Sequence, residues 1–251
     1  MKVPIEFILT TTANGFETTC GIDSLEHCCD TNYFKTYAKT ILYAYNSLGY
    51  RDEEWPSDLT NHVWCVGDSF TVGLGQPHEE TWPKLVEKQI GNSIINVSMN
   101  GASNDWISRR VQSIIDNFSP KAILIQWSYC HRREHADTTM HDEDRKIHFI
   151  APQGGRESFA DPQELDKLNC IENICKITHP AHVEIIHSFI PRFALASDAA
   201  FIYTELSKNK IKYFSEQPQI DRARDGHHYD VETAQNYANL YVSKLKMQNV
   251  I

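Results

Sequence analysis

The sequence predicts an α/β domain built on a mostly parallel sheet with helices on both faces. From residue 61 onward, short apolar runs typical of buried strands alternate with longer amphipathic runs typical of helices. Strands that alternate with helices need crossover connections, which make the strands parallel and cover both faces of the sheet. The predicted strands are 62–66, 93–97, 122–127 and 182–188, and the predicted helices are 80–90, 104–118, 161–177 and 231–247.

The helix predictions depend on where apolar residues recur. Within 80–90 and 104–118 they fall at helical spacing: Trp82, Leu85, Val86 and Ile90, then Ile107, Val111, Ile114 and Ile115. We therefore assign Trp82 and Trp106 to the core. The third helix is expected to begin at Asp161-Pro162, since aspartate caps helices and proline suits the first helical position.

Two segments depart from the alternation. Residues 1–60 are predicted to be an N-terminal extension packed on the domain formed by 61–251, with an amphipathic helix at 33–47 and loops at 10–15 and 20–32. Residues 131–160 are polar and rich in histidine, and they are too long for an ordinary connection. We expect this polar loop to act as a functional lid.

Composition excludes several classes of protein. The net charge of −9 and the scattered basic residues argue against a nucleic-acid partner. No apolar run is long enough to span a membrane, and Pro4 and Glu6 interrupt the only stretch that resembles a signal peptide. We expect a soluble cytoplasmic protein without membrane insertion. The oligomeric state is not readable from the sequence.

Seven cysteines, an odd number, favour reduced thiols over a disulfide framework. Cys20, His27, Cys28 and Cys29 could be imagined as a zinc site, but no paired C-x-x-C spacing supports it. We expect neither a metal nor an organic cofactor.

Two short motifs carry the chemistry. Gly67-Asp68-Ser69-Phe70 follows the apolar run 63–66, so Ser69 lies where a buried strand ends and a helix begins, beside N–H groups that can stabilise a negative charge. Near the other end of the chain, Asp225 stands three residues before His228. A nucleophile, a general base and a group that orients the base are the parts of a serine hydrolase. His227 is a further imidazole, expected to face solvent or contact substrate.

These motifs resemble the SGNH (GDSL-type) hydrolases. The first block of that family is similar to 67–75, its glycine block to 96–103 and its D-x-x-H block to 223–228, while 45–51 resembles a segment that precedes the first block in some members. The resemblance implies a flavodoxin-like three-layer α/β/α fold and hydrolysis of a carboxylic ester through an acyl-serine. It implies Ser69 as nucleophile, His228 as base, Asp225 as the orienting residue, and the N–H groups of Ser69 and Gly101 as oxyanion donors.

One family feature is missing. The third oxyanion donor of the family is an asparagine after the third strand, where this chain reads Gln126-Trp127-Ser128-Tyr129. Ser128, Tyr129 and Asn104 are candidates to replace it. Arg132 and Arg133 are expected to order the loop at the site or to contact substrate.

Two alternative functions stay open. His131, Glu134 and His135 match the H-x-x-E-H pattern of zinc peptidases, in which two imidazoles on one helix face hold the metal. The same fold could also serve as a non-catalytic binding module, a reading that the missing asparagine favours. If the chain is an esterase, the polar character of 131–160 favours a small-molecule or carbohydrate ester with a short acyl group, such as an O-acetylated sugar.

Overall fold

Four parallel strands form the centre of the molecule. The computed structural model describes residues 3–9, 16–17, 19, 23–28, 31–134 and 162–251. The strands are β3 (Val63–Gly67), β4 (Ile94–Ser98), β5 (Ala122–Trp127) and β6 (Glu184–Phe189), arranged in the order β4-β3-β5-β6. All three pairings are parallel. Nearly every strand residue is buried, as expected for a parallel sheet covered on both faces.

Helices flank this sheet in two groups. They are α3 (Trp82–Ile90), α4 (Asn104–Phe118), α5 (Pro162–Cys175), α6 (Ala196–Lys208) and α7 (Val231–Met247). Helix α3 packs against α7, whereas α5 packs against both α4 and α6. A short helix, α2 (Ser69–Val72), follows β3 directly. The prediction of an α/β fold with a parallel sheet and flanking helices is confirmed.

The core is rich in tryptophan. Trp82 and Trp106 are both buried, as predicted, together with Trp64 and Trp127. Trp82 stacks on Tyr241 of α7 with ring centroids 4.5 Å apart, and this contact joins α3 to α7. Large aromatic side chains contribute more buried apolar area than aliphatic ones, so these contacts hold the helices firmly on the sheet.

The N-terminal segment differs from its prediction. The single helix expected at 33–47 is wrong: α1 (Thr31–Thr36) is short, and the chain then forms β2 (Tyr43–Ala44), which pairs antiparallel with β1 (Phe16–Glu17). The cause is tertiary, because the hydroxyl of buried Tyr43 hydrogen-bonds both Asp23 and the N–H of Gly75. Phe7 belongs to the same core cluster as the sheet. The domain boundary at residue 60 stays a prediction.

Other predictions agree with the structure within a few residues. Helices α4 and α7 and strand β5 have the predicted bounds, whereas α6 was not predicted. The proposed cap residue Asp161 and most of the polar loop, residues 135–160, lie outside the described residues. No helix in the described part of the chain is both long and apolar enough to cross a membrane.

Candidate active site

Ser69 lies in a tight turn at the carboxyl end of the central strand β3. A side chain at Gly67 would collide with Thr71, since a Cβ there would lie 2.0 Å from the threonine Oγ1. Asp68 caps α2 by accepting a hydrogen bond from the N–H of Phe70 at 3.0 Å. Gly73 ends this helix with φ of +75°, a conformation that glycine adopts without strain. The Gly-Asp-Ser sequence therefore fixes the backbone on both sides of the serine.

The loop before α7 brings Asp225 and His228 to this serine. The Nε2 atom of His228 is 2.8 Å from the Oγ of Ser69, and its Nδ1 atom is 2.5 Å from Oδ2 of Asp225. Because an ionised carboxylate only accepts hydrogen bonds, Nδ1 carries the proton and Nε2 is left to accept one from the serine. The structure thus brings together the three residues predicted as a triad, in the order that serine hydrolysis requires.

Asp225 is itself held in place. Its Oδ1 accepts hydrogen bonds from the backbone N–H groups of His227 and His228, each at 2.9 Å. Burial raises the pKa of Asp225, but the hydrogen bond and charge of His228 and the two N–H groups outweigh this effect and hold the pKa below its ordinary value. Asp225 is therefore ionised at neutral pH and can stabilise an imidazolium on His228.

Several residues without a local sequence signal join the segment that follows α2 to the loop that carries Asp225 and His228. The N–H of Arg224 donates to the carbonyl of Gly75 at 2.8 Å. Asp23, which is fully buried, accepts from the Arg224 guanidinium at 2.6 and 3.0 Å and from the Tyr43 hydroxyl at 2.6 Å. Tyr43 in turn accepts from the N–H of Gly75 at 2.8 Å. Asp23 and Arg224 are 201 positions apart, and no local pattern indicates the pair.

Arg51 was also missed as a site residue, although it lies in the segment 45–51 that resembles a family motif. It is 1% exposed, and its guanidinium donates to the carbonyls of Val72, Gly73 and Gln76, at the end of α2 and just beyond, and to that of Leu42. The helix that begins at Ser69 therefore has its carbonyl end satisfied by a buried cation, as the helix dipole favours.

Aromatic and imidazole rings pack together beside Ser69. Phe70 contacts the ring of His228 with centroids 4.4 Å apart. Tyr129 stacks on His131 at 5.4 Å, and its hydroxyl lies 3.3 Å from Nε2 of His227. Burial, with a smaller contribution from the charge of Asp68, raises the pKa of Tyr129 to about 12, so its phenol stays protonated. His227 is exposed beside Asp225 and His228, and its contact with substrate stays a prediction.

Known structures share this fold at low sequence identity. The chain superposes on TesA with a TM-score of 0.51 and 13% identity, covering 76% of this chain and all of TesA. An acetyl xylan esterase from the rumen bacterium Butyrivibrio proteoclasticus matches with a TM-score of 0.50 and 15% identity, over 78% of this chain and 65% of the esterase. The chain has the SGNH hydrolase fold.

Another structure with the SGNH fold is a carbohydrate esterase whose active site displays divergent catalytic and non-catalytic binding functions. Its TM-score is 0.50 and its identity 14%, over 77% of this chain and 67% of that one. The chain thus spans about two thirds of the length of these two carbohydrate esterases. No protein-family profile matches the sequence, and a search of curated proteins finds no relative.

The candidate oxyanion donors follow β4 and β5, at the same end of the parallel sheet as Ser69. Gly101 follows β4 with φ of +78°, just before the Ser103 cap of α4. The side-chain amide of Asn104 is engaged on both sides, because Oδ1 accepts from the N–H of Ser128 and Nδ2 donates to the carbonyl of Tyr129. The Ser128 hydroxyl donates to Asp68 at 2.5 Å. With the Tyr129 hydroxyl 3.3 Å from Nε2 of His227, all three replacement candidates for the missing asparagine have hydrogen-bond partners within the protein.

Arg132 and Arg133, both predicted to order the loop at the site or to contact substrate, differ in their surroundings. Arg132 is 8% exposed, and its Nη1 lies 3.0 Å from Oδ2 of Asp68, beside the nucleophile. The Nε of Arg133 donates instead to Asp166 of α5 at 2.8 Å. A role for Arg133 in binding substrate stays a prediction.

Each of the two candidate zinc sets includes at least one residue outside the described part of the chain. Residue 135 lies outside the described residues, as do 20 and 29 of the cysteine-rich group. Glu134 is not on a helix, and both its carboxylate oxygens accept from Arg109 at 2.7 Å. Among the residues that the structure describes, no group of three or more His, Cys, Asp or Glu side chains could hold a metal ion, and the five described cysteines are free thiols.

Proposed function

We propose that the protein is a serine esterase that cleaves a carboxylic ester through an acyl-serine intermediate. The observation that carries the proposal is the continuous chain of hydrogen bonds from the Ser69 hydroxyl through the His228 ring to the Asp225 carboxylate, at 2.8 and 2.5 Å. A core histidine needs no serine and carboxylate arranged in this order, whereas acyl transfer does.

In the proposed reaction, the Ser69 Oγ attacks the ester carbonyl while Nε2 of His228 takes the hydroxyl proton. Asp225 stabilises the resulting imidazolium. The backbone N–H groups of Ser69 and Gly101 stabilise the negative charge on the tetrahedral intermediate. His228 then returns the proton to the leaving alcohol, and a water molecule releases the acid by the same steps in reverse order.

The substrate that we propose is a short-chain acyl ester, such as an acetyl ester, of a polar carrier such as a carbohydrate. Tyr129 and His227 contact the ring of Phe70, the chain neighbour of Ser69, and their hydroxyl and ring nitrogens can hydrogen-bond a polyhydroxylated alcohol. Acetyl xylan esterase and carbohydrate esterase structures share the fold, in agreement with this substrate class.

The test is hydrolysis of a series of p-nitrophenyl esters, from acetyl to palmitoyl, by the wild type and by Ser69→Ala, with and without EDTA. We expect turnover that requires Ser69, is insensitive to EDTA and is fastest with acetyl. Faster cleavage of octanoyl or longer esters would contradict the substrate class. Equal rates for wild type and Ser69→Ala would contradict the mechanism.

A non-catalytic binding module is the second candidate, because the side chains nearest to the position of the missing asparagine are committed to other partners. It predicts that the folded protein binds acetylated oligosaccharide but hydrolyses no ester. Turnover that EDTA abolishes would instead favour the zinc hypothesis with His131, Glu134 and His135.

A further inference from the structure

We propose that Arg132 is a positioning residue for catalysis: it neutralises the Asp68 carboxylate beside the nucleophile, so that an oxyanion can form next to Ser69. This inference rests on the proposed esterase function and addresses the third donor that the chain lacks. The arginine acts through Asp68 and is not required to touch the substrate.

Asp68 is fully buried and is the chain neighbour of Ser69. Its Oδ1 accepts from the N–H of Phe70, on the other side of the serine, at 3.0 Å. The carboxylate is therefore fixed against the same stretch of backbone whose N–H groups would stabilise the oxyanion. Since like charges repel strongly where water is excluded, an uncompensated carboxylate here would oppose the negative charge of the intermediate.

Arg132 supplies the compensating charge. Its Nη1 lies 3.0 Å from Oδ2 of Asp68 and 3.2 Å from the Oγ of Ser128, which itself donates to the same oxygen at 2.5 Å. The backbone of Arg132 is fixed as well, since its N–H donates to the carbonyl of Tyr129 and its carbonyl accepts from the N–H of Asn104. A buried pair with this many hydrogen bonds satisfies the conditions under which a buried charge is tolerated.

Ser128 directly follows β5, the position where the resemblance to the SGNH family implies an asparagine donor. In this chain the Ser128 side chain is directed to Asp68. The electrostatic stabilisation of the oxyanion would then come from the backbone N–H groups, acting without the opposing field of a free carboxylate. Arg132 compensates for the missing third donor by cancelling the repulsion between the Asp68 carboxylate and the oxyanion.

A purely structural role for Arg132 makes a different prediction. A structural clamp would affect the amount of folded protein and its stability, and neutralising Asp68 would not restore turnover. If the charge of Asp68 is what harms catalysis, the second substitution Asp68→Asn should restore kcat, because asparagine keeps an acceptor for the N–H of Phe70 and carries no charge.

The experiment measures kcat and KM for p-nitrophenyl acetate, per folded protein, in Arg132→Met, Arg132→Lys, Asp68→Asn and the double variant Arg132→Met/Asp68→Asn. Wild type and Ser69→Ala define the full and background rates. Arg110→Met is the matched control, since Arg110 is also a buried arginine, 5% exposed, but its guanidinium lies over the rings of Phe7 and Trp106. Circular dichroism and thermal unfolding verify that each variant is folded.

We expect Arg132→Met to lose about 10²-fold in kcat, a loss comparable to that of one oxyanion donor, with KM changed by less than about threefold. The double variant should recover at least about tenfold over Arg132→Met, and Arg132→Lys should fall between Arg132→Met and the wild type, since lysine keeps the charge but not the planar geometry. Arg110→Met should keep the wild-type kcat.

A wild-type kcat in Arg132→Met, or a double variant no faster than the single one, would overturn the inference and leave the esterase proposal standing. Absence of Ser69-dependent turnover in the wild type would overturn the esterase proposal, and this inference with it. If Arg132→Met does not fold, the double variant decides: a kcat within about tenfold of wild type supports the charge argument, and a rate equal to that of Ser69→Ala refutes it.

Discussion

Replacing Asp225 by asparagine should move the imidazole proton of His228 from Nδ1 to Nε2 without disturbing the loop that carries both residues. The two backbone N–H groups of His227 and His228 both point at Oδ1 of Asp225, so the carboxamide of Asp225→Asn must place its oxygen there. Its NH₂ group then faces Nδ1 of His228 and donates to it. The imidazole proton moves to Nε2, the atom that lies 2.8 Å from the Ser69 hydroxyl, and His228 can no longer accept the serine proton.

The expected loss follows from that change of tautomer. Loss of the orienting carboxylate in a serine triad, with the geometry kept, lowers kcat by about 10⁴-fold. At about 1.4 kcal/mol for each factor of ten, this corresponds to roughly 5.5 kcal/mol of transition-state stabilisation. The variant should remain folded, because every hydrogen bond to Oδ1 is retained.

The assay compares kcat for p-nitrophenyl acetate between wild type and Asp225→Asn, with Asp221→Asn as the matched control. Asp221 lies four residues earlier and accepts from the N–H groups of Glu232 and Thr233, so it caps α7 and does not contact the triad. The control should lose up to about 1 kcal/mol of stability and keep its kcat. A folded Asp225→Asn variant with a kcat within tenfold of wild type would refute the assignment of Asp225.

Two further predictions concern stability. Arg51→Met should lower the free energy of unfolding by about 3 kcal/mol and reduce kcat, because it leaves buried carbonyls at the end of the Ser69 helix without their donor. Urea unfolding measures the loss of stability, and an unchanged midpoint would contradict the prediction. Burial, assisted by His179, lowers the pKa of His187 from 6.5 to about 3, so its contribution to stability is fully present above pH 6.5 and is lost as the pH falls toward about 3. His187→Asn keeps an acceptor for the Trp127 N–H and should flatten the dependence of unfolding free energy on pH below 6.5. A wild-type slope in this variant would show that His187 is not the group responsible.

The central sheet and its main helices could be predicted because their signals are local. Strand β5 is an apolar run interrupted only by Gln126, and α4 has apolar residues at helical spacing, so burial and periodicity agree with the final structure. At 33–47 the same reasoning failed. Tyr43 there forms hydrogen bonds with Asp23 and Gly75, and these contacts stabilise a short strand where the local pattern favoured a helix.

In the candidate site, too, the parts with a local sequence signal could be predicted and the long-range pairs could not. Asp225 and His228 are three residues apart, so one loop carries both and the motif could be read from the sequence. The residues that support them pair across long distances along the chain: Asp68 with Arg132 over 64 positions, and Asp23 with Arg224 over 201. Nothing in a single sequence indicates such pairs, because the fold alone brings them together.

Covalent labelling tests the central claim most directly. Wild-type protein would be treated with an alkyl fluorophosphonate, which forms a stable adduct with an activated serine, and digested peptides would be analysed by mass spectrometry. We expect one adduct, located on Ser69, absent after Ser69→Ala and strongly slowed in Asp225→Asn. An adduct on another residue, or hydrolysis of p-nitrophenyl acetate at the wild-type rate after Ser69 has been fully modified, would contradict the account.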